Sequence, residues 1–233
     1  MTAPEEKKRL KDGFLIAVSI CLLMVIVKLI EVNFDLSFAG AGIIPRKASG
    51  LWGILFSPFL HKDFLHLFNN VIPLLVAITA IYYFYIEIFI LIFSLIWFFS
   101  GFLSWLMAGY GIHIGASGIV YGFLSFLFFV SVFSRNKNML GIALLLIFLY
   151  GTMIWGIVPL RFDAFISWES HLGGTVTGFI LAIIFRNEGV KEEPFEWENE
   201  EDEIEDLTDE EIDELIDSKL KEKNRFKLFG KKG

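Results

Sequence analysis

The sequence predicts an all-α membrane protein, a bundle of six transmembrane helices with a long membrane-associated first loop. Hydrophobic residues make up 55% of the 233 and include 26 Phe, and the mean hydropathy is +0.61. A soluble domain of this size would lack the polar surface to cover so much apolar sequence. The apolar residues also run in blocks of about 18 or more, the length at which a helix crosses a bilayer. Charge is segregated as well: residues 187–233 hold 18 acidic and 8 basic side chains, against 9 and 12 in the rest of the chain. The formal net charge of −7 is a property of the tail, and the apolar part is slightly basic.

Residues 1–13 are polar and carry Lys7, Lys8, Arg9 and Lys11. The first span is Phe14–Val32. It is longer than the apolar core of a cleaved leader and has no small-residue cleavage site after it, so a retained span is expected. It holds the single cysteine, Cys21, from which neither a disulfide framework nor a thiolate cluster can be built. Lys28 and Glu31 near its far end are expected to snorkel to the interface. Residues 33–62 are too broken to span and too apolar for a free loop, so they are expected to lie partly embedded at the membrane surface.

The second span is Phe64–Ile86 and the third Ile88–Ala108, with a tight turn at Glu87 beside Tyr82, Tyr83 and Tyr85, residues that favour the interface. The fourth span is Ile114–Ser134, the fifth Met139–Leu160 and the sixth Trp168–Phe185. Lys7, Lys8, Arg9, Lys11, Arg135, Lys137, Arg186 and Lys191 gather on one side, and Arg46, Lys47, Lys62 and Arg161 on the other. The richer side is expected to be cytoplasmic, which puts both termini there. The expected units are a cytoplasmic segment 1–13, a membrane domain 14–186 and an acidic cytoplasmic tail 187–233. In the tail, Thr208 and Glu211 fit a capping box. Ile204, Leu207, Ile212, Leu215, Ile216 and Leu220 then recur at helical spacing, as in a solvated amphipathic helix or one that binds a partner.

Polar groups inside spans are costly and tend to be paired or functional. The candidates are His66, Asn69 and Asn70 in the second span, Ser117 and Tyr121 in the fourth, and His171 in the sixth. His66, Ser117 and His171 each lie about three residues into an inward-running span, roughly 5 Å below its outer end at about 1.5 Å per residue. A nucleophile and base-type groups therefore share one layer. At a helix start Ser117 can lend its own backbone N–H to a developing oxyanion. His66 and Asn70, at i,i+4, lie on one face and can donate to the same oxyanion. Gly115 and Gly118 bracket the serine. His171, Gly174 and Gly178 form a small-residue face that lets two membrane helices approach closely. Tyr121 lies one turn below Ser117 and can stack on the imidazole.

These residues resemble the rhomboid protease family. Its second-span pattern of His, His five residues on and Asn four further matches His61, His66 and Asn70 in HKDFLHLFNN. Its fourth-span Gly-x-Ser-Gly followed by Tyr matches GASGIVYG, Gly115 to Gly122, and its sixth-span His-x-x-Gly-x-x-x-Gly matches HLGGTVTG, His171 to Gly178. Pro45-Arg46 resembles the approach to the family's long first loop. The resemblance covers roughly residues 14–186, and three motifs on the right spans make it specific. It implies a Ser117–His171 dyad without a carboxylate orienter, with His66 and Asn70 as oxyanion donors and Gly115, Gly118, Tyr121, Gly174 and Gly178 in support. It implies a multi-pass protein of a bacterial plasma membrane that cleaves transmembrane protein substrates near their outer end, with a lid around residues 159–168. The lipid bilayer is the expected surrounding; no cofactor, metal or nucleic acid is expected, and the tail can hold a partner.

Two competing readings remain. All four histidines, His61, His66, His113 and His171, fall near the outer side, as in a metal-dependent membrane protein. However, none forms a paired ligand motif, and no carboxylate or thiolate joins them inside the spans. An inactive relative that binds membrane clients without cutting usually lacks the serine or the histidine, and both are present here. Glu169 precedes His171 by two positions and points to another face. His113 reads as an ordinary loop residue.

Overall fold

The computed structural model describes residues 3–149 and 167–189. In order it contains α1 (Ala3–Asn33), α2 (Gly53–Phe56), α3 (Phe64–Phe84), α4 (Phe89–Met107), α5 (Ser117–Ser134), α6 (Lys137–Leu149) and α7 (Trp168–Phe185). Three single-turn 3-10 helices lie in the loop between α1 and α3. Among the described residues the architecture is all-α, and α1, α3, α4, α5 and α7 are long and apolar enough to cross a membrane. α6 begins the expected fifth span. Residues 150–160 of that span, residues 159–166 of the expected lid and the whole of the tail helix with its capping box lie outside the described residues.

α5 is the centre of the bundle. Its most apolar stretch is 67% buried, against 28% for α1, because it carries apolar or small residues around most of its circumference. Phe123, Phe126, Leu127 and Val130 are fully enclosed and join Leu67, Leu74, Ile78 and Ile81 of α3 in one continuous core. The outer helices turn Leu22, Leu23 and Ile26 of α1 and Ile90 and Leu91 of α4 outward. In lipid such exposure has no penalty. The first helix extends back to Ala3 rather than starting at Phe14. The polar segment is rich in Lys and Glu, which favour helix, and Glu5 and Glu6 suit the positive end of the dipole.

The loop 34–63 folds back on the bundle. Ile43, Ile54 and Leu60 are buried, while Phe34, Trp52, Leu55 and Phe56 stay exposed. The Trp97 indole N–H donates to the Ile54 carbonyl and the Trp105 indole N–H to the Lys47 carbonyl, both at 2.9 Å. Ile43 pairs with His113 in a two-bond antiparallel bridge. This loop therefore joins α4 to the segment that leads into α5.

Three expectations are corrected. Lys28 and Glu31 do not snorkel. They are 9% and 7% exposed, pair at 3.2 Å, and bind backbone: Lys28 Nζ donates to the His61 and Lys62 carbonyls, and the Phe38 N–H donates to Glu31. Groups thus satisfied need not reach water. Tyr85 does not face the surroundings: it is buried edge-on against Phe126, with ring centroids 5.2 Å apart. Finally, α5 starts at Ser117, not Ile114, because Gly115 has φ +110° and Ala116 is non-helical.

Candidate active site

α3 begins at Asp63, whose carboxylate accepts the His66 N–H at 2.8 Å. That bond holds the Asp63 carboxyl below its usual range. The cap fixes the first turn and so aims His66 and, one turn on, Asn70. The Asn70 amide donates to the His66 carbonyl at 2.7 Å, while its Oδ1 is buried without a partner among the described residues. An amide carries two N–H groups, so a second donor remains. His61 lies just before the helix with its ring edge-on to His66, centroids 5.1 Å apart. It is 2% exposed, and burial pushes its imidazole down to about 4, so it is neutral near pH 7.

His66 reaches the α5 side of the bundle. A Cβ on Gly115 would lie 2.7 Å from two atoms of the His66 ring. Glycine is therefore needed there twice, for the close approach and for the positive φ. Gly115 N–H also donates to the Ser57 carbonyl at 2.8 Å. Ser117 then opens α5, half-buried, as the first helical residue. The helix has no side-chain N-cap, so the N–H groups of its first turn have no intrahelical acceptor.

α7 brings the imidazole. His171 Nε2 lies 2.8 Å from Ser117 Oγ, and the ring stacks on Tyr121 with centroids 4.1 Å apart at 12°. The close approach comes from glycine. A Cβ on Gly174 would run into the Gly118 carbonyl, and one on Gly178 into the Gly122 carbonyl. Behind Gly118 is a small cavity of about 20 Å³, lined in part by Ser57, Ser100, Ser104 and Ser170. That is room for one water among polar partners.

Ser117, His171, Tyr121 and the four glycines therefore meet where α5 and α7 cross, with His66 against the loop before the serine. Asn70 shares the His66 face, one turn deeper. Two residues set aside on sequence grounds also have roles at this end of the bundle. Glu169, buried, accepts the Gly109 N–H at 3.1 Å, and His113 Nδ1 lies 2.7 Å from Ser167 Oγ. No local pattern marks either one, because each contact joins segments more than 50 residues apart.

The Rhomboid domain profile matches residues 48–188, well over half of the chain. Uncharacterized proteins of Mycobacterium tuberculosis and Mycobacterium bovis are each 36% identical over 150 residues, 61% of this chain. The chain spans 62% of the length of those relatives. An uncharacterized protein of Mycobacterium leprae is 32% identical over 190 residues, 78% of this chain and 75% of that one. With its multi-pass helical bundle, this protein is a member of the rhomboid family.

Proposed function

We propose that this protein is an intramembrane serine endopeptidase that hydrolyses transmembrane segments of other membrane proteins with Ser117 as nucleophile and His171 as general base. The observation that carries this reading is the 2.8 Å contact between Ser117 Oγ and His171 Nε2 across two helices. That is within the reach a nucleophile–base pair needs. Ser117 Oγ adds to the scissile carbonyl as His171 takes its proton, and the imidazolium returns that proton to the leaving amine. Water, delivered from the cavity behind Gly118, then attacks the acyl-enzyme with the same imidazole as base. The ester bond to Ser117 Oγ breaks, and the imidazolium returns the proton to that oxygen. The oxyanion is met by the Ser117 N–H at the uncapped start of α5, by His66, and by the second N–H of Asn70. Tyr121 holds the imidazole plane.

The site lies at the outer end of α3, α5 and α7, with both termini cytoplasmic, as the distribution of Lys and Arg supports. Substrates are cut near their outer ends, at small residues where a helix unwinds easily. The membrane domain is 14–186, and 187–233 is an acidic tail that can hold a partner. A fluorophosphonate probe on the purified protein tests the reading. It should label the unaltered chain at Ser117 and leave Ser117→Ala unlabelled; equal labelling of both would reject it.

A further inference from the structure

Ser167 occupies the N-cap position of α7, where a serine hydroxyl ordinarily accepts an N–H from the first turn. Here it makes no such bond. Its Oγ is 2.7 Å from His113 Nδ1 and 2.6 Å from Ser170 Oγ, and Ser170 Oγ is 2.6 Å from Ser104 Oγ on α4. A serine cap ordinarily stabilises the helix it opens, so the hydroxyl has been diverted from a favourable local role to a contact 54 residues away. His113 can hold it firmly, because its own main chain is fixed: the His113 N–H donates to the Ile43 carbonyl and the Ile43 N–H to the His113 carbonyl, both at 2.9 Å. Burial keeps the ring below the usual histidine range, against the pull of the Glu169 carboxylate. On the α7 side, the His171 N–H donates to the Ser167 carbonyl at 3.3 Å. Ser167 is thus the foot of the turn that presents the imidazole. Beside it, buried Glu169 accepts the Gly109 N–H at 3.1 Å.

Both contacts join the α4–α5 loop to the start of α7, at positions that precede Ser117 and His171 in the chain. The Gly118–Gly174 approach lies on the inner side of the same pair. Helices that meet at one such crossing can rock about it, and a second attachment beyond the reacting atoms removes that freedom. We infer that His113, acting through Ser167, and Glu169, acting through the Gly109 N–H, form an outer clamp that sets the Ser117–His171 separation. They are positioning residues, and neither touches a reacting atom. This rests on the dyad proposed above.

Labelling kinetics with a fluorophosphonate separate the clamp from simple stability. The purified full chain, His113→Ala, His113→Asn, Ser167→Ala and Ser117→Ala are compared for labelling rate and final labelled fraction, with unfolding temperature alongside. His113→Ala should reach the full labelled fraction about 10- to 100-fold more slowly, as expected when reacting groups shift by a fraction of an ångström. His113→Asn, whose amide replaces Nδ1, should recover most of the rate. Ser167→Ala should be slowed about as much, and it decides alone if His113→Ala does not fold. Unchanged rates, or a reduced labelled fraction at an unchanged rate, would overturn the clamp. An unlabelled wild type, or labelling that persists in Ser117→Ala, would instead overturn the dyad and the clamp with it.

Discussion

Replacing Gly174 with alanine adds one methyl group where α7 crosses α5. That carbon would lie 2.9 Å from the Gly118 carbonyl carbon and 3.0 Å from the Gly122 nitrogen, and would run into the Gly118 carbonyl oxygen. All three are backbone atoms of α5, so none can rotate aside. Carbon contacts become comfortable near about 3.5 Å, so the helices must part by at least about half an ångström. Ser117 Oγ and His171 Nε2, now 2.8 Å apart, would then pass the limit of about 3.2 Å for a working nucleophile–base bond. The strain should cost about 1–3 kcal/mol of stability, and a displacement approaching 1 Å about 100-fold in rate. Gly178→Ala meets the Gly122 carbonyl and, at 2.9 Å, the Phe126 nitrogen. It lies a full turn deeper, so it should cost similar stability but less rate. Cleavage of a single-span protein by each variant in detergent, with unfolding temperatures, checks both. Full activity in Gly174→Ala, or a slower Gly178→Ala, would refute the reasoning.

Three other perturbations have defined outcomes. His66→Ala and Asn70→Ala should each slow cleavage by about 10- to 1,000-fold as oxyanion donors are lost; unchanged turnover would return both to a role in holding the first loop on α3. Lys28→Met leaves the Glu31 carboxylate buried without its cation, which should cost about 3–5 kcal/mol. The joint replacement Lys28→Met with Glu31→Leu should recover part of that in thermal unfolding, and a double variant as unstable as the single one would contradict the ion-pair account. His61 stays neutral in the fold, with a pKa of about 4 against the ordinary 6.5. Its contribution is therefore complete above pH 6.5 and is lost as the pH falls toward 4, where the unfolded chain binds the proton that the fold excludes. About 3 kcal/mol should disappear over that range. Unfolding temperatures against pH should flatten in His61→Phe; parallel curves for the two proteins would count against it.

Most of the site was legible because its parts are local. His66 and Asn70 share a face by i,i+4 spacing, Gly174 and Gly178 form a stripe below His171, and Tyr121 is one turn from Ser117. Five of the six expected spans, α1, α3, α4, α5 and α7, were legible from length and apolarity alone. What was not legible depends on partners distant in the chain. Lys28 looked like a snorkelling residue when its helix was read by itself, but its acceptors include the carbonyls of His61 and Lys62. Tyr85 fitted an interfacial belt until Phe126 was brought against it. The start of α5 moved to Ser117 because Gly115 takes a positive φ, at a place where the His66 ring leaves no room for a Cβ. His113 and Glu169 carry no motif, and their contacts arise only once two loop segments meet the first turn of α7.

The central claim is that Ser117 and His171 cut peptide bonds at membrane depth. It is met most directly by reconstituting the purified protein in liposomes with a panel of single-span proteins and mapping the product termini by mass spectrometry, beside Ser117→Ala and His171→Ala. The account predicts cleavage within the outer part of the substrate span by the unaltered protein, and none by either variant, with all three inserted and folded alike. Cleavage that persists in Ser117→Ala would contradict it.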